Sequence, residues 1–169
     1  MKVIRIVAFT LFLSIVVSGL TQKADAQFAI EGGLGYGADI ERLGFKGHVI
    51  YDIDQIDELY FSGGLMFYVP ESVEFGDSSY TWLWTELNLN GEFHFLQEDN
   101  YNVYGLAGLN RTRITQRVNG STSTGRENGV NIGAGFQADL EVALLDLQLK
   151  YVLDGIDQAV LAAGLRIPI

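Results

Sequence analysis

The chain has 169 residues and a formal net charge of −10 at pH 7, with 20 glycines, 8 tyrosines, 10 phenylalanines and no cysteine. The lack of cysteine excludes disulfides and thiolate metal sites, and the aromatic content argues against a disordered chain. A nucleic-acid partner is not expected, because binding to nucleic acid requires a basic face and this chain is acidic.

The first 26 residues predict a secretory signal peptide. Lys2 and Arg5 form a basic start, the apolar run 6–20 follows, and a polar stretch ends in Ala24-Asp25-Ala26. That order of regions, with a small-x-small cleavage site, is typical of a segment removed on export. The apolar run is shorter than the ~20 residues of a spanning helix, which disfavours an uncleaved anchor. We expect cleavage after Ala26 and a single mature domain, 27–169, with a formal net charge of −12 after loss of three basic residues and one acidic residue.

From residue 27 onward, short segments alternate apolar and polar residues. In the clearest of them, Leu87, Leu89 and Phe93 lie on one face. The other face carries Glu86 and Asn88. A period of two over a few residues predicts β-strands with two different faces. The eight predicted strands are 28–39, 43–53, 58–69, 83–95, 101–115, 130–140, 145–151 and 158–167.

One of these segments, 101–115, has no clear pair of faces, and we assign Arg111 and Arg113 to its polar face.

The connections between these segments predict hairpins. Short turns are expected at 54–57, 96–100 and 141–143, and Asp154-Gly155 is a strong hairpin pair. Two longer polar loops are expected at 70–79 and 116–128. An even number of strands of about 10 residues, joined by hairpins, predicts an all-β fold, an eight-stranded antiparallel up-and-down barrel.

The distribution of residue types predicts which face of the barrel is outside. The polar faces are rich in glycine and mix both signs of charge, as a narrow lumen requires, while the apolar faces carry almost no charge. These features favour a transmembrane barrel with a polar lumen. Aromatic residues near the segment ends would form the interfacial girdles, and they are Phe28, Tyr51, Phe67, Phe95, Tyr101 and Tyr151. The alternative is a soluble periplasmic barrel with an apolar interior that binds an apolar ligand.

Four stretches, 33–37, 104–109, 129–136 and 163–167, resemble the small bacterial outer-membrane β-barrel proteins of the OmpA/OmpX type, often described as a porin-like family. The resemblance implies a monomer in the outer membrane, in contact with its lipid, inserted by the barrel-assembly machinery, with both termini periplasmic. The final strand of that family ends in an aromatic assembly signal. Here Ile169 follows Pro168 at the end instead.

The implied topology places the connections 39–42, 70–79, 116–128 and 153–156 outside the cell. Two of them are very short, so we expect a small external surface. In the longer connection 70–79, Glu71, Glu74 and Asp77 form an acidic surface loop that could collect divalent cations, which would also bridge anionic lipid.

The predicted lumen is lined by charged and titratable residues. Eight strands enclose an interior that side chains just fill, so no wide pore is expected. The structural interpretation is a paired network, because buried charges must be paired. The functional interpretation is a proton or ion path. The predicted lumen residues are Glu31, Lys46, His48, Glu58, Glu86, Glu92, His94, Asp139, Asp146, Lys150 and Arg166.

Four functional hypotheses follow. The first is a structural or surface-interaction barrel, and the second is a narrow gated channel for small solutes or ions. The third is a lipid-modifying enzyme, which would need a histidine near the external rim with a serine or acidic partner. Because His48 and His94 do not fit that pattern, we expect no enzyme, and the sequence predicts no cofactor or metal site. The fourth hypothesis is the soluble ligand-binding barrel.

Overall fold

The structure is a computed structural model that describes residues 27–53, 56–76, 78–153 and 157–169. The predicted signal peptide, the Asp154-Gly155 pair and Asp77 lie outside the described residues. In the part of the chain that is described, no helix is long and apolar enough to cross a membrane. The described strands are β1 (Phe28–Gly37), β2 (Arg42–Asp52), β3 (Leu59–Tyr68), β4 (Glu71–Phe75), β5 (Ser78–Glu98), β6 (Tyr101–Val118), β7 (Ser121–Asp139), β8 (Leu144–Leu153) and β9 (Gln158–Pro168).

Eight of these strands close into an antiparallel barrel. The hydrogen-bonded order is β3-β2-β1-β9-β8-β7-β6-β5, and pairing of β3 with β5 closes the ring. Closure leaves the barrel wall without an open edge, which is the condition for strands to lie in hydrocarbon. The predicted eight-stranded transmembrane barrel is confirmed, with β4 as an additional strand paired only to β5.

The stagger of the barrel can be read from its pairing. A row of hydrogen-bonded neighbours that starts at Phe136 on β7 passes through Leu34 on β1 and returns to β7 at Arg126, ten residues away. Such a stagger over eight strands corresponds to a strand tilt of about 40°. Each strand crossed along a row therefore changes the depth by about 3 Å, and two residues along a strand change it by about 5 Å.

The two faces of the wall are opposite in character. Leu109 and Phe45 on the outer face are 63% and 62% exposed, whereas Glu92 and Asp146 in the lumen are 0% exposed. The soluble alternative, with an apolar interior, is wrong for this reason.

Exposed aromatic residues form a ring at each end of the barrel. At the terminal end, where β1 begins and β9 ends, the ring contains Phe28, Tyr51, Phe95, Tyr101 and Phe136. At the opposite end it contains Tyr36, Phe45, Phe67 and Tyr151.

Strands β5, β6 and β7 continue beyond this second ring. Together with β4, their segments 78–83, 114–118 and 121–125 form a four-stranded extension that we call the projecting sheet. The prediction of polar loops at 70–79 and 116–128 is therefore wrong, and so is the expected small external surface. Above the hydrocarbon the outer face contacts water, so apolar residues no longer mark that face while the pairing continues. On β5, for example, Tyr80 and Trp82 lie on the inner side and Thr81 lies on the outer side.

A two-residue turn joins β6 to β7 at the tip of the projecting sheet. Asn119 has φ 46° and Gly120 has φ 86°. Two consecutive residues with positive φ are the requirement of a type I′ hairpin, for which Asn-Gly is the preferred pair. The Asn119 side chain also accepts a hydrogen bond from the Ser79 amide (3.0 Å) and donates one to the Ser78 hydroxyl (3.2 Å). The turn is thereby held against the start of β5.

Candidate functional site

The lumen contains two clusters of buried polar side chains. The cluster nearer the terminal end is centred on Arg166 of β9, which contacts Glu31 at 3.2 Å and Glu92 at 3.0 Å. Lys46 contacts Glu31 at 2.5 Å and Asp146 at 3.3 Å. Because side chains from β1, β2, β5, β8 and β9 meet here, the cluster crosses the lumen from wall to wall.

Tyr104 of β6 completes this first cluster. Its hydroxyl donates to Asp146 at 2.8 Å and accepts from Gln148 at 3.1 Å, while Gln137 donates to the same carboxylate at 3.2 Å. The Tyr104 ring has room because its neighbour on β7 is Gly135, where an added Cβ would overlap the ring. The glycine is thus explained by the bulk of the side chain opposite it.

The second cluster lies nearer the projecting sheet and is centred on Glu86 of β5. Lys150 donates to Glu86 at 2.8 Å and to Asn88 at 2.9 Å. The Tyr68 hydroxyl donates to the other carboxylate oxygen of Glu86 at 2.8 Å. The Asn110 side-chain amide donates to both Glu86 and Asn88. The buried charge in the two clusters is four carboxylates and three cations, which is close to neutral. Such pairing is what makes buried charge tolerable.

Two of the predicted lumen residues, Glu58 and Asp139, do not lie inside the lumen. Glu58 is exposed in the turn before β3, and its backbone carbonyl accepts a hydrogen bond from the His94 amide at 2.8 Å. Asp139 is the exposed last residue of β7 and accepts a hydrogen bond from the Glu141 amide at 2.6 Å. Both residues follow the parity of the lumen face, but they lie where that face has already reached water. Their assignment to the lumen network is corrected accordingly.

Both histidines lie in the lumen and away from the projecting sheet. The His94 ring stacks on Tyr104 with centroids 5.1 Å apart and contacts Tyr60 at 4.4 Å. His48 is buried next to Gly64. A cavity of about 150 Å³ at the terminal end is lined in part by Tyr60, His94 and Arg166. Among the described residues, no group of three or more histidine, cysteine or acidic side chains is arranged to hold a metal ion.

The predicted acidic loop is instead part of a strand. Glu71 and Glu74 lie on opposite faces of β4, since their partners on β5 are Trp82 and Ser79. Glu71 forms an ion pair with Arg42 at the start of β2, and Asp77 lies outside the described residues. The two described carboxylates therefore do not converge, and the hypothesis of a shared cation site loses its geometric basis.

The projecting sheet has an aromatic face. Tyr80 and Trp82 of β5 lie on the side that continues the lumen face, with stacked rings whose centroids are 5.9 Å apart. Trp84, one step lower, packs against the small apolar cluster of Met66, Tyr68 and Val160 that closes this end of the lumen. Their cross-strand neighbours on β6 are Ile114, Gln116 and Val118.

Two arginines lie on the face opposite to the predicted one. Arg111 and Arg113 are exposed on the outer face of β6, in the rows of Leu87 and Thr85. The rule that charges belong to the lumen fails here, because these residues lie at or above the aromatic ring, where the outer face is wet. The two faces of β6 could have been assigned correctly from Asn110 and Thr112, which alternate with the arginines and are buried in the lumen.

Comparison with known proteins gives matches to solved structures only. No protein-family model matches the chain, and no curated protein matches it. The N-terminal β-barrel domain of OprF from Pseudomonas aeruginosa superposes with a TM-score of 0.62 at 19% identity, covering 83% of this chain and 96% of that one. The chain has the fold of the small outer-membrane β-barrels.

Two further structures agree with this assignment of the fold. Neisserial surface protein A superposes on the barrel with a TM-score of 0.58 at 16% identity, covering 84% of this chain and 94% of that one. Ail, the attachment invasion locus protein of Yersinia pestis, gives 0.52 at 16% identity, with 83% and 95% covered. In this fold one scaffold serves different functions, so the function of the barrel has to be argued from its own surfaces.

Proposed function

We propose that this chain is a surface-interaction protein of the outer membrane, whose projecting sheet contacts an external macromolecule and whose lumen does not conduct solutes. The observation that carries the proposal is the aromatic face of the projecting sheet, which lies beyond the membrane-facing band. Insertion as a monomer by the barrel-assembly machinery belongs to the same proposal.

The apolar band and its two aromatic rings support the membrane location. All the turns at the terminal end are short, and the projecting sheet is at the other end. We therefore place the terminal end in the periplasm and the projecting sheet outside. Expressing cells are fractionated, and the membrane fraction is run on a gel with and without boiling. A soluble band, or a membrane band that does not shift on boiling, would contradict the proposed location.

The aromatic face has the composition of a binding surface. Tyrosine and tryptophan dominate the binding energy of many interfaces. Tyr80 and Trp82 are half-buried, so part of each ring remains accessible to a partner. Next to this face, β7 has a free edge, because among the described residues β8 pairs with β7 only from Val130 onward. Of the described strands, only β6 pairs with the segment 121–126, and a free edge can accept another strand.

The test uses intact cells that express the barrel and a panel of immobilised proteins and polysaccharides. We expect the wild type to raise cell retention on at least one surface, and Tyr80→Ser/Trp82→Ser to abolish the gain. Thr115→Ala, on the opposite face of the same sheet, is the control and should bind like the wild type. Retention that is equal for wild type, double variant and empty cells would refute the role of the sheet.

The two clusters argue against a channel, since their ion pairs cross the lumen at two levels. Single-channel recordings in planar bilayers test this part of the proposal. We expect no resolved conductance from the wild type. Discrete steps that disappear in Glu86→Gln/Lys150→Met would instead establish the gated channel.

A non-catalytic role is part of the same proposal. His48 and His94 are buried in the lumen and do not lie at the outward rim where lipid or peptide would reach them. We expect no turnover of labelled outer-membrane lipid by the purified barrel. Turnover that is lost in His94→Gln would refute this part.

A further inference from the structure

The basic residues of the barrel are unevenly distributed. Residues 27–169 contain eight lysines and arginines. Lys46, Lys150 and Arg166 are paired within the lumen, and Arg42 is paired with Glu71. The other four are exposed on the outer face of β6 and β7. Arg117 lies in the projecting sheet, whereas Arg111, Arg113 and Arg126 form a group that we call the arginine patch.

The arginine patch is a concentration of like charge without a protein counterion. Arg113 of β6 is the direct cross-strand neighbour of Arg126 of β7, and Arg111 lies two residues below on the same face. Like charges directly opposite each other on a sheet are destabilising. Among the described residues, none of the ion pairs within 4.0 Å involves the four arginines. In a chain this acidic, the arrangement calls for an anion from outside the protein.

The depth of the patch points to the lipid headgroups. Arg113 and Arg126 share a hydrogen-bonded row with Phe67, a member of the aromatic ring, and lie two and three strands further along it. With about 3 Å of rise per strand, they lie roughly 6 and 9 Å above Phe67. Arg111 lies close to the level of the ring. The headgroup layer begins at that ring and is several ångströms thick.

A depression in the hydrocarbon region lies below the patch. It has a volume of about 630 Å³, and its floor is formed by Gly63, Gly91 and Ala107 between the larger side chains of Phe61 and Leu89. Ala107 is on the same face of β6 as Arg111 and four residues away, which places it roughly 10 Å deeper. A second depression of about 380 Å³, lined by Arg111, Arg113, Arg126, Leu65 and Leu87, lies above it.

We propose that this part of the outer wall binds a phosphorylated, acylated lipid of the outer leaflet. Arg111, Arg113 and Arg126 hold its phosphate groups, and the lower depression takes one acyl chain. Guanidinium groups form paired hydrogen bonds to phosphate, which suits them to this contact better than lysine. A polar depression directly above an apolar one matches a lipid rather than a protein or a free ion. The proposal rests on the outward orientation given under the proposed function.

The full chain in nanodiscs of phosphatidylcholine is titrated with lipid A, a diphosphorylated acylated glycolipid, and bound lipid is counted by native mass spectrometry. We expect the wild type to bind lipid A at least about tenfold more tightly than its dephosphorylated form. Arg113→Gln/Arg126→Gln should lose that preference. Arg42→Gln/Arg117→Gln removes the same charge away from the proposed site and is the matched control.

The acyl-chain contact is tested by filling the depression without a change in charge. An added Cβ at Gly91 would meet only ordinary contacts, at 3.8 Å and beyond, so Gly91→Leu should fold and shift on boiling like the wild type. We expect it to weaken lipid A binding at least about fivefold.

Three outcomes would overturn the proposal. Equal losses in the two double variants would show nonspecific attraction, and full competition by inorganic phosphate with no effect of Gly91→Leu would show a site for a free anion. Equal binding of the phosphorylated and dephosphorylated lipids would exclude the arginine contacts. Because the assay uses purified protein, its result is independent of cell retention by the aromatic face.

Discussion

Strands β5, β6 and β7 each have a lower part at membrane depth and an upper part in the projecting sheet, and the two parts differ in which residues line their faces. At membrane depth these strands are apolar outside and charged or amidic inside, and Glu86, Glu92 and Tyr104 on their lumen side belong to the two buried clusters. In the projecting sheet the same strands carry threonine, serine and arginine outside and aromatic residues on the inner side. The backbone pairing is continuous across both parts. The difference teaches that alternation reports the two solvents on either side of a strand and is not a property of the strand itself.

The largest expected contrast is between arginines of the two parts. Arg166→Met removes the cation that pairs with Glu92 and one of the two cations that pair with Glu31, and an uncompensated buried charge costs about 3–5 kcal/mol. Arg117→Met makes the same chemical change in the projecting sheet and should cost no more than about 0.5 kcal/mol. Urea unfolding of the barrel in lipid vesicles measures both. Similar losses for the two variants would contradict a paired lumen that is distinct from a solvated sheet.

Charge on the outer wall should show the next largest contrast. Leu89→Arg places a cation in the hydrocarbon, which costs about 2–4 kcal/mol near the midplane. Thr115→Arg, on the same outer face but in the projecting sheet, should leave the unfolding free energy within about 0.5 kcal/mol of the wild type. The same vesicle assay applies. A neutral effect of Leu89→Arg would mean that this face does not contact lipid.

Two glycines of β7 test how tightly side chains pack at membrane depth, at Gly135, and in the projecting sheet, at Gly125. Gly135→Ala adds a Cβ that overlaps the Tyr104 ring, and overpacking of this kind costs about 1–3 kcal/mol. At Gly125 an added Cβ has no atom within 4 Å, so Gly125→Ala should be neutral or slightly stabilising. If both variants unfold at the same urea concentration, Tyr104 is not held as described.

The smallest effect is local to the turn. Gly120 has φ 86°, where a side chain costs about 1 kcal/mol, so Gly120→Ala should loosen the tip of the sheet without unfolding the barrel. Hydrogen exchange of the amides in 114–118 and 121–125 should speed up, while exchange in the membrane-depth part stays unchanged. Gly125→Ala is again the control. Uniformly faster exchange would show that the two parts of the strands are not independent.

The barrel itself was predictable wherever the two sides of a strand differ. The predicted strand 43–53 differs from β2, Arg42–Asp52, by one residue at each end. On the predicted fourth strand, the polar residues Glu86, Asn88 and Glu92 are buried in the lumen, as the alternation indicated. At the rims the same rule was wrong. Glu58 and Asp139 were assigned by charge to the lumen, although they are exposed at the terminal rim. Arg111 and Arg113 were assigned to the polar face of their strand, although they lie on the outer face at or above the aromatic ring.

The projecting sheet was not predicted because the apolar residues of β5, such as Tyr80 and Trp82, lie on its inner face instead of its outer face, and because the segment 121–125 has no large apolar residue. The pair Asn119-Gly120 carried the missing signal, since it is the preferred hairpin turn and lies between two threonine-rich stretches. The arginine patch was out of reach for another reason. Arg113 and Arg126 are 13 residues apart in the sequence, and only the register of β6 against β7 brings them side by side.

The ion pair between Glu31 and Arg166 has a consequence for how the molecule is assembled. These residues belong to the first and last strands, and they become neighbours only when the chain's two ends meet. Until that moment a sheet with β1 and β9 unpaired would expose Glu31 and Glu92 to lipid without their contacts to Arg166. Intermediates in which β1 and β9 are not yet paired are therefore unstable in the bilayer. We expect insertion to occur in one concerted step, in which these two strands pair as the charged side chains move from water into the lumen.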